Sequence, residues 1–165
     1  MPLLIRITTV PVSMQVLLKG QMKFMQEQGF EVVMISSDGP EVKALEAQEQ
    51  CRHLSVPFTR KISPVQDLVC LVKLIRIFRK LKPDIVHTHT PKAGLLGMWA
   101  ARLSGVPVRL HTIAGLPWVE TTGFMRKLLR FVEKLTAMPA SRIYPNSMVQ
   151  QHFLEQQHIA LGKMK

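Results

Sequence analysis

The chain has 165 residues, 47% of them hydrophobic, enough to bury one core, and it carries no low-complexity tract and no apolar run long enough to cross a bilayer. Its net charge of +11, from 22 Lys and Arg against 11 Asp and Glu, favours anionic membranes, acidic substrates or nucleic acid as partners. The two cysteines, Cys51 and Cys70, lack metal-ligand spacing and suit a reducing cytoplasm, and the N-terminal MPLLIRITTV lacks the basic leader and cleavage site of a signal peptide.

Residues 3–9 read as a buried first strand ending in a polar turn that holds Pro11 and Ser13. A helix over 16–28 is stopped by Gly29. A β-branched strand over 30–36 runs into Ser37 and Asp38, followed by a helix over 40–50 and a short strand over 52–57. Residues 64–81 form a long helix that ends before Pro83. Residues 84–87 form the fourth strand. Thr90 then caps a helix with Pro91 at its first position, and Gly105 stops it. Gly94 and Gly97 on that helix allow close approach to the sheet. A fifth strand over 108–111, a helix over 123–136, a sixth strand over 142–144 and a last helix after Asn146 and Ser147 complete the order.

Strands alternating with helices of this length predict an α/β fold, a doubly wound, Rossmann-like parallel sheet, with the whole chain as one domain. In the order 3-2-1-4-5-6 the sheet reverses between its first and fourth strands. That brings residues 9–13 beside 87–90, and ligands bind at such a reversal, at the carboxyl ends of the strands.

The glycine fingerprint G-x-G-x-x-G is absent after the first strand, as is the P-loop pattern, which argues against a nicotinamide enzyme or a P-loop ATPase. His87 and His89 stand two apart on a strand and so share a face. Two histidines without a third ligand nearby do not make a metal site, and no metal is assigned; a hydrolase with these two as ligands is the remote alternative. The pair either braces the turn or contacts substrate. The turn of Thr90 and Lys92 opens a helix whose free N–H groups favour an anion. Glu120 is the only acid between Asp84 and Glu133, which makes it, with His111, the candidate for proton transfer. Trp118 either stacks on a sugar ring or plugs the end of the sheet.

Two helices combine basic and apolar faces. The first carries Lys73, Arg76 and Lys80 opposite Leu68, Leu71, Val72, Ile75 and Phe78. The second carries Arg126, Lys127, Arg130 and Lys134, with Phe131 among them, opposite Met125, Leu128, Leu129, Val132 and Leu135. Such helices suit an anionic bilayer surface; the alternative is a solvated basic face over a buried stripe. No aromatic platform or recognition motif accompanies the charge, so nucleic acid is not assigned as a partner.

The segments LLKGQMKFMQEQGFEVVMISS, KPDIVHTHTPKAGLLGMWAARLSGVPVRLHTIAGLPW, RKLLRFVEKLT and IYPNS, in this order and spacing, resemble the N-terminal domain of family 4 glycosyltransferases. The resemblance covers nearly the whole chain and is closest to the branch that assembles capsule, O-antigen and exopolysaccharide. It implies one half of a GT-B fold, in which this domain binds the acceptor. It implies a retaining transfer from a nucleotide sugar, commonly a UDP-sugar, without metal or other cofactor. A second, donor-binding domain is expected in cis or in trans, so this chain alone should transfer nothing. The partners implied are a saccharide or lipid-linked acceptor and the inner face of the cytoplasmic membrane. The cleft would be lined by Pro11, Ser13, His87, His89, Thr90, Lys92, Gly115, Asn146 and Ser147. Many family members end the fifth strand with T-x-H-G; here HTIAG puts Ala114 in the place of that histidine, leaving His111 three residues earlier. A non-catalytic subunit of a split transferase, or a truncated relic, is the alternative.

Overall fold

Every strand in the sheet runs parallel to its neighbours, because each is followed by at least one helix that carries the chain back across a face. The computed structural model describes residues 1–160 and 162–164. Strands β1 (Leu3–Ile7), β2 (Glu31–Ser36), β3 (Arg52–Ser55), β4 (Ile85–Thr88), β5 (Val108–Ile113) and β6 (Arg142–Pro145) pair in the order β3-β2-β1-β4-β5-β6. This is the reversal between β1 and β4 that the alternation of elements predicts. The helices are α1 (Pro11–Leu17), α2 (Gln21–Glu27), α3 (Val42–Glu49), α4 (Pro64–Leu81), α5 (Pro91–Leu103), α6 (Gly123–Ala137) and α7 (Met148–Gln156), with a single 3-10 turn at Pro117–Val119.

The central strand is buried on both faces, and its side chains alternate between two cores. Leu4 packs with Met14, Leu18, Met22, Met34 and Leu45, under α1, α2 and α3. Leu3, Ile5 and Ile7 pack with Cys70, Leu74, Phe78, Ala93 and Met98, under α4 and α5. Helix α5 lies between α4 and α6 and sits close to the sheet. A Cβ on Gly97 would come within 2.7 Å of Thr88 Cγ2, and one on Gly94 would overlap the His111 ring.

The helix expected over 16–28 is two helices, and the expected turn at Pro11 and Ser13 is the first turn of α1, with Pro11 at its first position. The break falls at Gly20, whose φ of 75° is a left-handed conformation that costs glycine little. It is held by Glu49 at the end of α3. This fully buried carboxylate accepts hydrogen bonds from the backbone N–H groups of Gly20 (2.6 Å), Met22 (3.2 Å) and Lys23 (3.4 Å), donors that a helix start otherwise leaves unpaired.

Helix α4 is rotated from the expected setting. Its buried residues are Cys70, Leu74 and Phe78, while Leu68 and Val72, expected inside, are exposed together with Val65 and Val69. The helix holds more apolar residues than one face accommodates, so periodicity alone leaves its rotation open; packing against α5 decides it. On α6, Met125 is likewise exposed, as are Phe124 and Phe131. Of the basic residues on these helices, Lys73, Arg76, Lys80, Arg126, Lys127 and Lys134 face solvent. Arg130 is half-buried and donates to the Gln157 carbonyl. No described helix is long and apolar enough to cross a membrane.

Glu133 on α6 is buried, and desolvation raises its carboxyl to about 7. A carboxyl raised above its ordinary value of 4.5 favours the native state while protonated. Its contribution is complete below that value and is lost as pH rises through about 7. The Glu133→Gln variant should therefore be more stable than the parent at pH 8, by up to about 3 kcal/mol, and nearly equal to it near pH 4.5. Urea denaturation at the two pH values measures this; an equal difference at both would contradict it.

Candidate functional site

The carboxyl ends of β1 and β4 part at the reversal of strand order, and two threonines hold the parting together. Thr90 Oγ1 accepts from the Thr9 backbone N–H (3.0 Å) and shares a hydrogen bond with Thr9 Oγ1 (2.8 Å). Thr90 is the residue before α5 but makes no side-chain cap on it; its hydroxyl is used across the switch point instead.

Beside this stitch, the sheet face away from α4 and α5 presents Arg6 on β1 and His87 on β4, which are register partners. Arg6 Nη1 lies 3.1 Å from His87 Nδ1 and 3.0 Å from His89 Nε2, and the two imidazoles lie with centroids 4.1 Å apart. A guanidinium only donates, so both of those ring nitrogens accept and carry no proton. The proton of His87 is then on Nε2, which donates to Thr112 Oγ1 on β5 at 2.8 Å. On β6, Tyr144 adds a third ring, 5.9 Å from His87.

Arg6, His87, His89 and Thr112 line a cavity of about 270 Å³, with Leu17, Leu18 and Gln21 at the α1–α2 break on one side, and Ala114 and Asn146 on the other. Asn146 is held at the rim by donating to the Ala114 carbonyl (3.2 Å). Both histidines are held well below the usual imidazole range, first by burial; for His87 the neighbouring His89 and then Arg6 add to it, and for His89 Arg6 does. Burial also lowers Arg6, to about 10.

Of the residues expected in the cleft, the cavity gathers His87, His89 and Asn146. Thr90 stands at the switch point, and Ser147, next to Asn146, caps α7 by accepting from the Gln150 N–H (3.1 Å). Gly115 is exposed, with open space at its Cβ position. Pro11 is buried beside Gly39. Ser13, half-buried on α1, does not line the cavity.

Lys92 turns away toward α4, where it pairs with Asp67 (2.8 Å) and bonds Thr59 Oγ1 and the Lys61 carbonyl. His111 is on the opposite face of the sheet. The strand continues to Ile113, so this residue is not at its end, and its Nδ1 is bonded to Thr88 Oγ1 (2.7 Å) under α5. Burial lowers its ring to about 4. Glu120 is exposed near Leu116 and Ser147, outside the cavity. Trp118 is a plug: it is 1% exposed and stacked on Phe153 with centroids 5.2 Å apart. Among the described residues no three His, Cys, Asp or Glu side chains gather as a metal site.

Sequence reading missed Arg6. The signal for it was a single charge within LLIRI, a strand otherwise apolar and destined for the middle of the sheet. The tautomers assigned above predict that neither His87 nor His89 takes up a proton between about pH 8 and about pH 5. Ring resonances followed by NMR should stay in place over that range; titration of either would refute the hydrogen-bond pattern.

The family described as "Glycosyl transferase 4-like" matches residues 6–147. The capsular polysaccharide biosynthesis glycosyltransferase CapM of Staphylococcus aureus is 37% identical over 127 residues, covering 77% of this chain and 33% of that protein. A UDP-Gal:alpha-D-GlcNAc-diphosphoundecaprenol alpha-1,3-galactosyltransferase of Escherichia coli is 35% identical over 116 residues, covering 69% of this chain and 29% of that protein. The chain thus spans about a third of the length of these relatives. Among solved structures, Anabaena HepE in complex with UDP superposes with a TM-score of 0.72 at 15% identity, over 100% of this chain and 43% of that one, a likeness of fold.

Proposed function

This chain belongs to the glycosyl transferase 4-like family, and we propose that it is the acceptor-binding half of a retaining transferase that moves a sugar from a nucleotide-sugar donor to a lipid-linked saccharide in surface polysaccharide synthesis. The observation that carries this reading is the cavity at the strand ends, where Arg6, His87, His89 and Asn146 converge. The capsular and diphosphoundecaprenol-linked reactions of the two relatives supply the substrate class. Rossmann-like sheets bind ligands at this place.

In this reading the neutral imidazoles and the amides of Gln21 and Asn146 hold the acceptor, and the sheet beneath fixes their orientation. Transfer also needs the leaving nucleotide stabilised and the two substrates held together. That work belongs to a donor-binding domain, in cis or in trans, which would also carry most of the contacts to a UDP-sugar. Ala114 leaves the cavity wall without an imidazole there, and His111 acts as a brace for α5 rather than as an acid or base. Glu120, exposed in the loop beyond β5 and outside the cavity, is the carboxylate this reading retains for proton transfer.

The outer faces of α4 and α6 would meet an anionic membrane. Val65, Leu68, Val69 and Val72 recur at helical spacing and lead into Arg76, Arg79 and Lys80. Phe124 and Phe131 accompany Lys127 and Lys134. These faces support a peripheral position at the inner face of the cytoplasmic membrane, next to a lipid-linked acceptor.

Three measurements test the proposal. The chain should bind a saccharide carried on a short-chain prenyl diphosphate, and His89→Gln should weaken that binding about tenfold with unchanged circular dichroism. Sustained sugar transfer by the 165-residue chain on its own would overturn the assignment as a half-site. Replacing Lys73, Arg76 and Lys80 with Gln should lower partition onto phosphatidylglycerol vesicles about a hundredfold, at about 1 kcal/mol for each basic residue near the surface. An unchanged partition would remove α4 from the membrane-facing surface.

A further inference from the structure

The cavity is charged on one side only. Arg6 lines it and is only 7% exposed, and no carboxylate is among the lining residues. The protein partners of the guanidinium are two neutral imidazoles, both at Nη1. Its Nε is buried without a hydrogen-bond partner, and no described residue bonds Nη2. Nε and Nη2 form the edge of a guanidinium that grips an oxyanion with two parallel hydrogen bonds. The structure therefore holds a desolvated cation without an anionic partner, with Nη2 unbonded among the described residues, at the wall of a polar cavity.

We infer that this cavity takes a phosphate or diphosphate group of its ligand, with Arg6 as the counter-charge. The inference rests on reading the cavity as the substrate cleft. A buried cation left without an anion is costly, and an arriving oxyanion offsets that cost.

The groups around Arg6 favour an anion as well. Because His89 Nε2 accepts from Arg6, its proton is on Nδ1, a further donor. Gln21 and Asn146 bring amide N–H groups to the rim. Donors thus come from β1, β4, α2 and the end of β6. A carboxylate has two oxygens to satisfy them; a phosphate has three or more, and a diphosphate also fills more of the 270 Å³. The histidines have a second part in this. Their unprotonated nitrogens hold Nη1, which leaves Nη2 for the ligand.

The test uses the 165-residue chain with inorganic pyrophosphate as probe, read by NMR of the imidazole rings and by calorimetry. Pyrophosphate should shift the His87 and His89 resonances, and Arg6→Met should raise its Kd at least about tenfold. The ring shifts separate this cavity from binding elsewhere on a chain of net charge +11. Asn146→Asp, which adds a negative charge at the exposed rim, should weaken binding in the same direction and provides the test where Arg6→Met does not fold. Absence of ring shifts, an unchanged Kd in a folded variant, or equal shifts from acetate at the same concentration would overturn the inference.

Two further arms locate the source of the phosphate. Arg6-dependent binding of a short prenyl diphosphate points to the acceptor, and Arg6-dependent binding of uridine diphosphate points to the donor; either supports the inference. Binding of a neutral methyl glycoside in the cavity without any response to pyrophosphate would sink the inference while the acceptor reading stands. A pyrophosphate response without saccharide binding would sustain the inference and remove the acceptor reading.

Discussion

Arg6 sits on the central strand of the sheet, so its hydrogen bonds have to come from a neighbouring strand rather than from water. β4 and the residue after it supply them through His87 and His89, separated by the two-residue period of a strand. That requirement sets much of what surrounds the cavity. It fixes the tautomers of both rings and directs the remaining His87 proton to Thr112 on the next strand. It keeps the imidazoles neutral. The chain of contacts crosses three strands at the point where β1 and β4 diverge, so the floor of the cleft is held by the same side chains that line it.

Much of the architecture is legible in the sequence because it depends on local patterns. The alternation of β-branched runs with amphipathic segments yields all six strands and the order in which they pair. The proline at the start of α5 and the glycine after it mark that helix, and the x-His-x-His spacing places both rings on one face. Gly94 and Gly97 signal the close approach of α5, which their contacts with His111 and Thr88 bear out.

What escapes the sequence is decided by groups distant along the chain. The break between α1 and α2 is held by Glu49, more than twenty residues away, which supplies the cap that no nearby side chain offers. The rotation of α4 follows from its packing on α5, since its own apolar residues cover more than one face. Lys92 is drawn away from the cleft by Asp67 in the first turn of α4. Arg6 is hidden for a different reason: its partners become visible only once β1 and β4 are known to be neighbours. Of the cleft residues, then, His87, His89 and Asn146 were readable from their places at strand ends, whereas the part of Arg6 and the departure of Lys92, set by partners distant along the chain, were not.

The overlap between the Cβ site of Gly94 and the imidazole of His111 has a consequence for how this domain can change over evolutionary time. The two positions belong to different elements yet occupy one volume, so neither is free to vary alone. A lineage that acquires alanine at position 94 must first, or at once, trade the histidine for a smaller side chain, and Thr88 then loses the partner of its buried hydroxyl. The three positions form a single heritable unit, and in an alignment of descendants of this chain they should change together or not at all.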